Sequence, residues 1–409
     1  MFDTGNTGFM LVATSLVMLM TPGLAFFYGG LVGRKNVLAI MLQSFVSMGW
    51  TSVLWFAFGY SMCFSGTMAG GTDIAGIIGN FDMVFFKGID VMTPLAGNNI
   101  PLFVFIAYQM MFAIITPALI TGAFTNRIRF VPYLMFLTVW LIFVYFPMVH
   151  MIWGGGLLQS WGVLDFAGGI VVHAIAGMAA LASVFYVGRR RVAERGPHSI
   201  PLVALGTGLL WFGWYGFNAG SELRVDQITS LAFLNTDTAA SFAAITWLIM
   251  AWIFEKKPKL LGLLTGSIAG LATITPAAGY VTVQTAAMIG IIAGMVCYGA
   301  ISLKNKLGWD DSLDVWGVHG VGGTIGVLLL GLFATTTVNA NGANGWFYGN
   351  PGFFVKQTVA VAGASIYAFL FSYLALIVIN KISPVRTTEA EEMNGLDASL
   401  HGEEAYIHD

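Results

Sequence analysis

Two histidines stand where ionisable side chains are rare. His173 lies in Val172-His173-Ala174-Ile175-Ala176-Gly177 and His319 in Val318-His319-Gly320-Val321-Gly322-Gly323, each inside a long apolar stretch. An imidazole titrates near neutrality and offers two ring nitrogens, which suits it to relaying a proton or to hydrogen-bonding a small polar solute. A single histidine in an apolar helix is more often a packing or interhelical hydrogen-bonding residue. Two in matching contexts favour a pathway, because burying each of them in a membrane is costly. Asp165, shortly before His173, has an equally ordinary reading as a helix N-cap. No third Cys, Asp or Glu stands at a metal-ligating spacing from these positions. Nor does the chain show a nucleophile with a base, or a phosphate loop, so no enzyme, metal or cofactor is expected. Cys63 and Cys297 fall in or near separate apolar stretches and read as small buried hydrophobes without a disulfide.

The elements that must carry these residues are membrane helices. The 409 residues are 57% hydrophobic and only 9% charged, with a mean hydropathy of +0.79, against about 25% charged in soluble domains. Apolar stretches of about 20 residues, enough to cross about 30 Å of hydrocarbon as helix, recur between short polar breaks. The predicted spans are 6–31, 37–63, 100–124, 130–150, 165–188, 199–219, 236–254, 260–278, 281–303, 314–334 and 354–380. Eleven crossings put the termini on opposite sides. Of the 18 Lys and Arg residues, all but Lys87, Arg224 and Lys356 then share one side: Arg34, Lys35, Arg127, Arg129, Arg189, Arg190, Arg191, Arg195, Lys256, Lys257, Lys259, Lys304, Lys306, Lys381 and Arg386. The positive-inside rule makes that side cytoplasmic, with the N-terminus outside and the C-terminus inside the cell (inner) membrane. Met1 to Asp3 lack the charged start of a signal peptide, so the first stretch reads as a mature helix. A net charge of −2 without a basic domain argues against nucleic-acid binding.

The two His motifs lie five spans apart, in the fifth and the tenth. An odd number of helices per repeat inverts the second copy, which predicts two inverted five-helix repeats plus a C-terminal helix, with the site near mid-bilayer. His173 lies 16 residues before Arg189 and His319 lies 16 before Thr335. At 1.5 Å per residue both imidazoles sit about 24 Å from those span ends and are expected to meet. The fold class is therefore an all-α polytopic membrane protein. Residues 1–383 form its transmembrane domain, with repeat one at about 6–188, repeat two at about 199–334 and the last helix at about 354–380; residues 384–409 form a polar, acidic tail.

Ordered motifs along almost the whole chain resemble the ammonium transporter (Amt/MEP/Rh) family, in its Amt branch of bacteria and archaea. They are Pro22-Gly23-Leu24-Ala25-Phe26-Phe27-Tyr28-Gly29-Gly30, His150-Met151-Ile152-Trp153-Gly154-Gly155-Gly156, Leu164-Asp165-Phe166-Ala167-Gly168-Gly169, Trp211-Phe212-Gly213-Trp214-Tyr215-Gly216-Phe217-Asn218-Ala219-Gly220-Ser221 and Asp314-Val315-Trp316-Gly317-Val318-His319-Gly320-Val321-Gly322-Gly323. The resemblance implies a homotrimer in which each subunit has its own pore. Trp153, Ser221 and Tyr108 then match an outer site that recruits the cation, with Tyr108 where other members often carry Phe. Phe112 and Phe217 match a pair of rings that closes the pore, and His173 with His319 match the twin histidines of an apolar lumen. Asp165 matches a buried acid that orients backbone and tunes the field; Gln109 stands beside this set without an assigned role. The tail segments Asn394-Gly395-Leu396-Asp397 and His401-Gly402-Glu403 resemble an ordered cytoplasmic tail that packs under the subunits. The resemblance further implies a trimeric P-II signal protein as a partner at the inner pore mouth.

Magnitudes favour a neutral species in such a lumen. Moving a bare ion from water into a medium of ε near 4 has an idealised cost of order 20 kcal/mol, still several kcal/mol after relaxation. Releasing a proton from an ion whose pKa lies roughly 2 to 3 units above neutrality costs about 3 to 4 kcal/mol. The expected function is ammonium/ammonia transport, with methylammonium as an analogue: the cation is deprotonated outside and ammonia is conducted, with or without the separated proton. The alternatives are a Rh-like passive ammonia channel, which has less need of the Trp153 and Ser221 cation site, and an ammonium sensor on the same scaffold.

Overall fold

In hydrocarbon every backbone N–H and C=O must be satisfied within the segment, so a chain this apolar crosses as helix. The computed structural model describes residues 2–66, 71–192 and 196–406; Arg195, one of the predicted cytoplasmic cations, lies outside the described residues. Among the described residues ten helices are long and apolar enough to span a bilayer. They are α1 (Thr4–Leu31), α2 (Arg34–Phe64), α3 (Leu102–Phe124), α4 (Phe130–Trp161), α5 (Gly169–Val187), α6 (Ile200–Glu222), α7 (Gln227–Glu255), α9 (Val283–Leu307), α10 (Trp316–Phe333) and α11 (Pro351–Ile382). Between α7 and α9 runs the shorter apolar α8 (Leu260–Ile274). No strand occurs among the described residues, only isolated bridges.

Most predicted spans agree with these helices to within a few residues, and two extend further. The fourth continues from 150 to Trp161 through a break at Gly154–Gly156, and the seventh begins at Gln227 rather than 236. The early start of α7 comes from a reciprocal cap: the Asp226 carboxylate accepts from the Ile228 and Thr229 amides while the Thr229 hydroxyl returns to the Asp226 amide. Such a box fixes a helix start in polar residues that carry no hydrophobic signal.

Helix α1 packs along α6 and crosses α3, α8 packs on α7 and α9, and α11 lies across α5, α10 and α4. Small residues bring these helices close, as expected where packing rather than the hydrophobic effect drives association. At the centre α5 meets α10 backbone to backbone: a Cβ on Gly177 would stand 2.1 Å from the Gly320 nitrogen. A Cβ on Gly323 would likewise press to 2.7 Å from the Cβ of His173. Only glycine permits this approach, and it is this crossing that brings the two histidine-bearing turns together.

The tail docks on one end of the bundle. The Thr387 amide donates to the Arg127 carbonyl at 3.0 Å and the Arg129 amide to the Val385 carbonyl at 3.0 Å. Thr388 and Glu391 then form a capping box on the short helix α12 (Glu389–Asn394). Asp397 accepts from the Leu38 and Ala39 amides at 3.0 and 2.8 Å, so the tail caps the start of α2. Arg129 pairs with Glu391, and Arg386 with Glu392.

Candidate functional site

His173 and His319 each sit in a wide π turn, Gly169–Ala174 and Trp316–Val321. Such turns are rare and cluster at functional positions, because the extra residue re-aims side chains. The two Nδ1 atoms lie 3.2 Å apart and the rings are nearly parallel, 19° between planes with centroids 5.2 Å apart. One Nδ1 must carry the shared proton. The ring that donates it keeps a bare Nε2, and the ring that accepts it bears an Nε2–H, so the pair presents one acceptor and one donor. The His173 Nε2 is buried without a partner. Trp214 stacks on His173 at 5.4 Å and is held by its own Nε1–H, which donates to the Thr275 hydroxyl at 2.9 Å.

The pair lies in a narrow, almost wholly apolar cavity walled by Leu24, Ile115, Leu119, Trp214 and Phe217. It offers about 10 Å³ to the centre of a water-sized sphere, room for about one small molecule. His319 also lines a second, wider cavity of about 230 Å³ that opens toward the tail end among Arg190, Thr265, Ser312 and Asp314. On the other side, Phe217 stacks on Phe112 at 4.2 Å and 29°.

Beyond that pair the aromatic residues continue. Trp153 meets Phe112 edge-on at 5.9 Å and Tyr108 meets Phe112 at 5.0 Å. The Trp153 Nε1–H donates to the Asp165 carbonyl at 2.8 Å, which fixes its ring. The Tyr108 hydroxyl is fully buried and stands 2.9 Å from the carbonyls of Gly216 and Phe217 and 3.3 Å from the Ser221 Oγ. The Ser221 hydroxyl itself donates to the Phe217 carbonyl at 2.9 Å, so its oxygen remains able to accept. Gln109 is buried one turn from Phe112, with an unpartnered Oε1.

Asp165 is a cap. Its two oxygens accept four backbone N–H bonds, from Gly168, Gly169, Ile170 and Val171, at 2.6 to 3.2 Å. Gly168 makes the turn possible with φ +119, a backbone that other residues rarely adopt. The second repeat has its own version. Asp311 accepts from the Val315 and Trp316 amides at 3.1 and 2.8 Å, and the separations 173 − 165 and 319 − 311 both equal eight. Around Asp311 stand fixed charges: Lys304 bonds Asp314 and the Asp311 carbonyl, while Arg127 and Arg190 both reach Asp310.

A profile of the Ammonium Transporter Family matches residues 8–406. The chain is 45% identical to an ammonium transporter of Bacillus subtilis over 404 residues, 98% of each protein. It is 43% identical to the ammonium transporter Amt1 of Archaeoglobus fulgidus, covering 98% of this chain and 99% of that one. The chain belongs to the ammonium transporter family. Among solved structures, Saccharomyces cerevisiae Mep2 matches with a TM-score of 0.88 at 33% identity over 95% of this chain and 88% of that one. A sensor Amt protein matches at 0.85 and 31%, covering 97% and 98%.

In this family member seven of the predicted residues form a chain of contacts, from Trp153, Tyr108 and Ser221 through Phe112 and Phe217 to His173 and His319, and Asp165 stands beside it, bonded to Trp153 through its carbonyl. Sequence reasoning gave no role to Trp214 or Asp311. Trp214 lay inside a quoted motif, and the spacing of eight was the available signal for Asp311.

Proposed function

We propose that the protein carries ammonium inward across the cell membrane by stripping its proton at the mouth and conducting ammonia through the histidine-lined cavity. The observation that carries this reading is the imidazole pair, 3.2 Å between Nδ1 atoms, in an otherwise apolar cavity behind stacked Phe112 and Phe217. At the mouth, the face of Trp153 attracts the cation by about 0.5 to 2 kcal/mol as it loses water. The Ser221 oxygen accepts one of its N–H bonds. Phe112 and Phe217 keep solvent out, and the solute that passes them finds one Nε2 acceptor and one Nε2–H donor in place of water. Asp165 touches no solute: it holds the turn that carries His173 and, through its carbonyl, Trp153.

The charge asymmetry supports an outer mouth and a cytoplasmic tail. A homotrimer, and a P-II-type protein docking beside the tail, follow from the family resemblance. Solid-supported-membrane currents in proteoliposomes test the reading. Ammonium pulses should give a transient and potassium none, since potassium has no proton to release. Replacing His173 and His319 together by Leu should remove the current by more than tenfold; an undiminished current would overturn a relay through the pair.

A further inference from the structure

The contacts around the mouth form a partial ring. From Trp153 it runs through Phe112 and Tyr108 to Ser221 by the distances given above; from Trp153 the other way it runs through the Asp165 carbonyl to Phe166, whose ring meets Tyr280 edge-on at 5.4 Å. Glu222 directly follows Ser221 in the chain. Burial raises the Tyr280 hydroxyl pKa, and the Glu222 and Asp165 carboxylates raise it further.

Of these two carboxylates only Glu222 has an oxygen to spare. Asp165 spends both on backbone N–H groups. Glu222 takes both Arg224 bonds, at 3.0 and 2.8 Å, on Oε1, and no donor among the described residues reaches Oε2. Arg224 also meets Asp226 at 2.9 Å, so two carboxylates share one guanidinium and the cluster keeps a net negative charge. The Glu222 side chain is 10% exposed and the Arg224 side chain 44%. The carboxylate is therefore largely covered, and water and salt screen it less than they screen a surface charge.

We propose that Glu222 is a further specificity-determining residue: a fixed negative charge at the mouth that concentrates monovalent cations beside Ser221 and sets the apparent affinity for ammonium. Glu222 acts through its field and not by taking the proton. Because Glu222 adjoins Ser221 in the chain, its unit charge is near enough to change the occupancy of a cation there several-fold at intermediate dielectric. Arg224 works against it, because it neutralises part of the charge and pins Oε1.

This inference rests on the transport reading, and two variants of opposite sign test it apart from that reading. Glu222→Gln should raise the apparent KM for ammonium currents about three- to tenfold at low ionic strength, with a much smaller change in the maximal current. The ratio should shrink toward one near 0.5 M salt, where the Debye length falls to a few ångströms. Arg224→Gln should shift KM the other way, downward, while Glu222→Asp should stay near wild type. A purely structural cluster would raise KM in both Gln variants, or lower the yield of both, and either result overturns the inference. An unchanged KM in Glu222→Gln with normal transport also overturns it. A wild-type protein that gives no ammonium current would instead sink the transport reading itself.

Discussion

The two turns that carry the histidines are built on one local plan and charged differently. In the first repeat Asp165, eight residues before its histidine, caps a π turn and is surrounded by aromatic rings and backbone amides. In the second, Asp311 at the same spacing caps the same kind of turn within reach of Lys304, Asp314, Asp310, Arg127 and Arg190. Shared geometry thus places two imidazoles in matching positions, while unshared charge sets the two ends apart. Near the mouth, Arg224 is shared by two carboxylates, so its cluster keeps a net negative charge. The tail end is filled with ion pairs that hold loops and tail in place.

Removing each cap should break the symmetry of the comparison most visibly. Asp165→Ala leaves four buried N–H groups without an acceptor, and each unpaired group costs about 1 to 3 kcal/mol before relaxation. We expect a loss on the order of 3 to 5 kcal/mol, seen as early thermal unfolding in detergent, together with loss of ammonium current. Asp311→Ala strands two N–H groups and relieves the burial of a carboxylate, so its loss should be on the order of 1 to 2 kcal/mol. Equal destabilisation by both variants would show that the four-bond cap carries no special weight.

Hydropathy made the spans legible because a bilayer forces every apolar stretch of sufficient length into helix. It failed at the start of α7, where the helix begins in polar residues held by the Asp226–Thr229 box. The paired histidines were legible as a repeat, yet their contact depends on the Gly177–Gly320 crossing, and no local pattern marks which glycines meet. Trp153, Tyr108, Phe112 and Phe217 were readable only through family motifs, since an aromatic in a membrane helix is ordinarily packing or interfacial belt. Asp311 escaped notice because its neighbours Asp310 and Asp314 made it look like part of a polar loop.

The charge difference between the ends should also appear as a pH dependence between pH 4 and 7.5 that arises at the tail end. Burial pushes the Asp311 carboxyl up to about 6, against the pull of Lys304 and with Asp314 adding to the rise. A carboxyl whose folded pKa exceeds its unfolded value of about 3.9 favours the fold when protonated. Its contribution is full below about pH 4 and is lost as pH rises through about 6, an effect on the order of 2 to 3 kcal/mol. Wild type should therefore lose stability between pH 4 and 7.5 relative to Asp311→Asn, whose curve over that window should be flatter. Parallel curves would place the titration elsewhere.

The smallest effect concerns how each end secures its loops. Several ion pairs and amide bonds dock the tail. At the mouth, the segment from Gly71 is held by a few amide bonds, Gly79 to the Met62 carbonyl and Leu157 to the Gly76 carbonyl among them, and by one buried imidazole: His150 donates through Nδ1–H to the Cys63 carbonyl at 2.8 Å and meets the Asp73 carboxylate through Nε2 at 3.0 Å. The hydrogen bond from His150 holds the Asp73 pKa below the usual carboxylate value. A depressed folded pKa stabilises the clasp above about pH 4, the unfolded value, and that stabilisation is lost as pH falls through the lower folded value. Pepsin, active across this range, reads the outcome. Cleavage between Ser65 and Pro101 should quicken two- to threefold in wild type as pH falls from 4.5 to 3, while Asp73→Asn should be cut at the faster rate at both. The tail beyond Ser383, held by many bonds, should change less over the same interval. Equal resistance of Asp73→Asn and wild type at pH 4.5 would mean that the outer loop is secured by contacts other than this clasp.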